Sequence, residues 1–107
     1  MRKEYNKLIR DRIPEIIAAN GQTAALRTLT DAEYTAALEK KLKEEVAEYL
    51  KSKAPVELAD VLEVIEALAE NAGVSFDELL KMKADKQRTN GAFRKKLFLE
   101  SVETVEK

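Results

Sequence analysis

Apolar residues recur at intervals of three and four along most of this chain, the spacing of one face of an α-helix. The segment "TDAEYTAALEKKLKEEVAEYLKSK" carries such a stripe at Leu38, Leu42, Val46 and Tyr49. It reads as a long helix with Thr30 or Asp31 as its N-cap. "SKAPVELADVLEVIEALAENAG" repeats the pattern at Leu58, Val61, Leu62, Val64, Ile65 and Leu68. Ser52 or Ala54 precedes this second long helix, Pro55 suits its first turn and Gly73 follows its end. Before these two, "RDRIPEIIAANG" predicts a short helix, with Pro14 in the first turn and Gly21 at the stop. After them, "SFDELLKMKADKQR" predicts another, where Ser75 and Glu78 have the spacing of a capping box. "QTAALRTLT" fits a short extended segment, "TNGAF" a turn, and the last residues a fraying tail. The expected fold is all-α, a bundle of about four helices around an antiparallel helical hairpin, in a single domain over residues 1–107.

Composition supports helix and narrows the chemistry. The chain is 45% hydrophobic and 36% charged, with 3 Gly and 2 Pro, so it can bury a core and few residues interrupt helices. A formal net charge of -1 gives no basic field for a nucleic-acid polymer. No apolar run approaches a membrane span, and "MRKEYNKLIRDRIPEII" lacks the core of a signal peptide, so a cytoplasmic protein without membrane contact is expected. Cysteine and histidine are both absent. That excludes thiolate ligands, disulfides, and a histidine base or triad. Any metal must be held by oxygen, which favours Mg²⁺, Mn²⁺ or Ca²⁺ over zinc.

The acids of the two long helices divide into two sets. On a wheel advancing ~100° per residue, Glu45 falls at the edge of its stripe, Glu48 one step further round, and Glu44 well outside it. In the second helix Glu57 falls inside the stripe, between Val64 and Leu68, and Asp60 flanks it just beyond Val64. Glu63, Glu66 and Glu70 point to the opposite, solvent side. Glu45 with Glu48, and Glu57 with Asp60, are therefore two i, i+3 pairs at apolar seams. A short connection makes the helices antiparallel neighbours and brings both pairs to its end of the interface. Two readings stand at this point. The pairs are solvated acids, with Lys41 and Lys51 as partners, or they hold a hard divalent cation that cancels their charge.

Cations repeat the anomaly with the opposite sign. Lys83 falls within the stripe of Phe76, Leu79 and Leu80, Lys86 sits beside Leu79, and Arg88 and Asn90 follow. Either Lys83 snorkels past the core edge, or these groups meet a polyphosphate near the carboxylates. Near the N-terminus Lys7, Arg10, Asp11 and Arg12 also have two readings, as contacts to substrate phosphates or as partners of the domain's own acids.

"EEVAE" followed by "ELAD" resembles the EExxE…ExxD signature of the all-α, MazG-like nucleoside triphosphate pyrophosphohydrolases. "YNKLIRDRIPEII", "LEKKLKEEVAE" and "KQRTNGAF" resemble the phosphoribosyl-ATP pyrophosphohydrolase-like branch, so the likeness runs from Tyr5 to about Leu97. The turn "NGAF" departs from the family's "GGF" at Ala92. The resemblance implies an Mg²⁺-dependent hydrolase, with Mn²⁺ as a possible substitute, assembled as a dimer or tetramer. It would cleave a nucleoside triphosphate, or a related phosphoribosyl nucleotide, to the monophosphate and pyrophosphate. It implies Glu45, Glu48, Glu57 and Asp60 as metal ligands, with Glu45 or Glu48 orienting the attacking water. It places Lys83, Lys86, Arg88 and Asn90 at the phosphates, with Lys83 and Lys86 stabilising the departing pyrophosphate. Two alternatives share these residues: a non-catalytic metal-binding helical module that regulates a partner, and a phosphoribosyl-ATP pyrophosphohydrolase of histidine biosynthesis.

Overall fold

A computed structural model describes residues 2–105. It contains four helices in order, α1 (Ile13–Ala19), α2 (Asp31–Ser52), α3 (Pro55–Asn71) and α4 (Phe76–Asn90), and no strand among the described residues. The all-α expectation holds. "QTAALRTLT" forms neither helix nor strand ahead of α2. No helix among the described residues is long and apolar enough to cross a membrane.

Local chemistry sets the helix ends. Pro14 lies in the first turn of α1, where its fixed φ suits a helix and its missing N–H costs nothing. Thr30 caps α2 in a reciprocal box. The Glu33 N–H donates to Thr30 Oγ1 at 3.3 Å, and the Thr30 N–H donates to Glu33 Oε1 at 3.0 Å. Arg27 clamps the same carboxylate with two nitrogens, at 3.2 and 3.1 Å. At its other end α2 stops on Lys53 in the left-handed region, φ 60°, with its N–H donated to the Tyr49 carbonyl at 2.7 Å. Pro55 then forces the chain into a new helix after only Lys53 and Ala54. No side chain caps α3; instead the Ala54 N–H donates to Ser52 Oγ at 3.1 Å.

So short a connection folds α3 back along α2, and the two pack together. At the far end of this pairing Asn71 Nδ2 donates to Thr35 Oγ1 at 2.9 Å, which ties the end of α3 to the start of α2. Among the described residues, Leu38 on α2 and Val64 on α3 are the buried hydrophobic side chains, 2% and 7% exposed. Both belong to the stripes read from the sequence. The chain divides into two compact units, Met1–Phe76 and Asp77–Lys107. The first holds α1 and the α2–α3 hairpin; the second holds nearly all of α4 and the tail.

Candidate metal centre

Near the α2–α3 connection, three carboxylates converge. One oxygen each from Glu45, Glu57 and Asp60 lies within 4.8 Å of the other two, and all three residues are half-buried. Helix phase explains the set. Glu57 lies inside the α3 stripe, so it must face α2. Asp60, one turn later, borders the same seam, and Glu45 is the acid of α2 nearest its own stripe. Glu48 lies some 60° further round α2 and stays outside the trio. It still lines the adjoining open groove of about 430 Å³, together with Lys7, Lys41, Glu44, Glu45 and Glu57.

The cluster is electrostatically tense. Partial burial pushes the Glu57 carboxyl above its ordinary value. The charge of Asp60, a hydrogen bond with it, and the charges of Glu48 and Glu45 add to the shift. Two internal cations offset the repulsion. Arg10 Nη2 donates to Asp60 Oδ1 at 2.7 Å, across 50 positions of sequence. Lys41 Nζ stands 3.4 Å from Glu45 Oε1 and 3.8 Å from Glu44 Oε2. The Lys41 and Glu45 side chains are only 18% and 16% exposed, so water screens their attraction weakly. Arg10 belongs to the set that the sequence left open between substrate contacts and ion pairs, and Lys41 to the partners expected of solvated acids. Here they pair with the domain's acids. Lys7 lines the groove, with its ammonium 5.7 Å from the centroid of the Tyr5 ring.

The donor set fits a hard cation. All three groups are carboxylates, the ligand type a hard divalent ion takes. In an octahedral site at least two of the three ligand pairs are adjacent, about 2.9 Å apart, so oxygens within 4.8 Å of one another would draw together on binding one ion. Mn²⁺ takes the same ligand type.

The remaining predicted residues lie in the second unit. Lys83, Lys86, Arg88 and Asn90 are all exposed on α4, and Arg88 Nη2 pairs with Asp85 Oδ1 at 3.0 Å. Lys83 is solvent-facing, although its wheel position lies within the apolar stripe.

Comparison with known proteins adds one relative. A stretch of 42 residues is 64% identical to an uncharacterized protein of Mycolicibacterium smegmatis, covering 39% of this chain and 43% of that protein. The match thus spans less than half the length of either protein. No family model and no solved structure matches the chain. Fold and site together define an all-helical chain with a carboxylate trio at the closed end of a helical hairpin.

Proposed function

We propose that this chain is a divalent-cation-dependent nucleotide pyrophosphohydrolase, acting on a nucleoside triphosphate or a related phosphoribosyl nucleotide. The observation that carries the reading is the convergence of Glu45, Glu57 and Asp60 within 4.8 Å, beside a groove that also presents two lysines. Those three residues would hold Mg²⁺ or Mn²⁺. When bound, such an ion supplies charge neutralisation at the phosphates and lowers the pKa of a water. Glu48, which borders the groove outside the trio and makes no ion pair among the described residues, is the group to orient that water and accept its proton. Lys7 in the groove is the group assigned to the phosphate oxygens. The family resemblance gives the same role to Lys83, Lys86, Arg88 and Asn90, with Lys83 and Lys86 for the leaving pyrophosphate. The test is pyrophosphate release from a nucleotide panel with Mg²⁺, repeated with Glu57→Ala. Turnover is expected to fall by at least a hundredfold; turnover equal to wild type sinks the assignment. The panel includes phosphoribosyl-ATP, which separates the general enzyme from the histidine-biosynthetic one.

A second reading has its own support. Arg10 and Lys41 already compensate Asp60 and Glu45, as they would in a helical module that binds a metal without chemistry. Such a module would bind Mg²⁺ and hydrolyse nothing in the same panel.

Self-association belongs to the first reading. The hairpin leaves Val46, Leu50, Leu58 and Leu62 between 38% and 56% exposed. Helix phase puts all four on the side of the hairpin away from Asp60 and Lys41. The four span about one turn of each helix, roughly 6 Å along the axis, and form an apolar patch beside the α2–α3 connection. A second copy would cover it by joining two hairpins into a four-helix bundle.

A further inference from the structure

Arg10 is the residue whose position the hydrolytic chemistry leaves unexplained. It lies in a segment without regular structure, just ahead of α1, yet its guanidinium reaches Asp60 on α3 at 2.7 Å. A guanidinium does not release its proton in a protein, so its charge can leave the carboxylates only by moving. At 55% side-chain exposure Arg10 has solvent to move into, whereas Lys41, at 18%, is held against Glu45.

Arg10 and a divalent ion would compete for the same carboxylate. Arg10 Nη2 already sits 2.7 Å from Asp60 Oδ1, and Asp60 is also one of the three converging carboxylates. An ion bound there sets two cations side by side on Asp60, and Arg10, the more exposed of the two paired cations, is the one with room to leave.

We infer that Arg10 is the positioning residue of Asp60, a built-in counter-ion that holds this carboxylate toward the trio and is displaced when a divalent cation binds there. This rests on the reading of the trio as a cation site. The segment that carries Arg10 is thereby coupled to the site, pinned while the trio is without an ion and released when one is bound. A competing arrangement keeps Arg10 on one oxygen of Asp60 while the other binds the ion. The two arrangements predict opposite effects of removing the guanidinium.

The experiment uses the full chain and Mn²⁺ alone, without nucleotide. Mn²⁺ affinity is measured by calorimetry for the wild type, Arg10→Met and Arg10→Lys. Amide hydrogen exchange across residues 6–12 of the wild type is followed with and without Mn²⁺. Displacement predicts that Arg10→Met binds Mn²⁺ about two- to fivefold more tightly, the scale set by an exposed ion pair, and that Arg10→Lys stays nearer the wild type. It also predicts faster exchange at residues 6–12 once Mn²⁺ is bound, a readout that needs no substitution. Unchanged or weaker Mn²⁺ binding by Arg10→Met, or exchange that slows, overturns the inference. If Glu57→Ala still abolishes Mn²⁺ binding in that case, the cation site stands and only the role of Arg10 falls. Absence of Mn²⁺ binding by the wild type overturns both.

Discussion

Truncating Leu38 to Ala tests whether the stability of the first unit resides in the α2–α3 seam. Leu38 is 2% exposed, and Val64 on the facing helix is the other buried hydrophobic side chain among the described residues. Cutting a buried Leu to Ala costs about 2–5 kcal/mol, the transfer of the lost carbons plus the cavity left behind. The low end applies here. Leu42, Val61 and Ile65 continue the two stripes and are only half-buried, so they can settle into the space and reduce the cavity. The expected loss is about 2–3 kcal/mol. Leu62→Ala is the control, because Leu62 is 48% exposed and its truncation removes roughly half the transfer term with little cavity, about 1 kcal/mol. Both are read as urea unfolding followed by helical circular dichroism, at a dilution where the chain is monomeric. A change in midpoint at constant slope reports stability alone. The reasoning fails if Leu38→Ala unfolds within about 0.5 kcal/mol of wild type, well below the smallest loss expected of a buried leucine. It also fails if Leu62→Ala costs as much as Leu38→Ala under these conditions.

Thr30→Ala removes the N-cap of α2 and should cost about 1 kcal/mol in the same unfolding assay. Glu33, held down to about 2 by hydrogen bonds from Arg27 and Thr30 against about 4.5 when free, stabilises the fold fully above the free value. That contribution is lost as pH falls from about 4.5 to about 2, and Arg27→Ala should flatten the acid limb of a stability-versus-pH curve in this window. Lys53→Gly should raise stability by about 0.5–1 kcal/mol, since Lys53 occupies a left-handed C-cap position, φ 60°, that glycine adopts without the Cβ penalty. Leu62→Glu puts a charge on the face proposed for a second copy, and light scattering should show a chain that no longer self-associates; unchanged mass would remove that face from the interface.

Helix phase made much of the site legible. Glu57 inside an apolar stripe and Asp60 at its border follow from 100° steps, and the two-residue gap between Ser52 and Pro55 brings them opposite Glu45. The resemblance counted Glu48 among the metal ligands, but it lies a further step round α2 from the seam and is not one of the three carboxylates that converge. Phase has no force outside helices, and there the reading stayed open. Arg10 belongs to a segment without a repeat, so no periodicity could choose between a phosphate and a carboxylate as its partner; Asp60 answers from 50 positions away. Lys83 marks the opposite limit, a residue inside a stripe whose long stem can carry its charge to water, so that its position on the wheel does not fix its exposure. The capping box at Thr30 and Glu33 was within reach, because T-x-x-E stands in the sequence at the proposed helix start. Its local bonds leave α2 with a defined first turn, from which the phase of Leu38 and then Glu45 follows. The carboxylate trio is thus a consequence of where two helices begin, and the cation that compensates Asp60 is what tertiary folding adds.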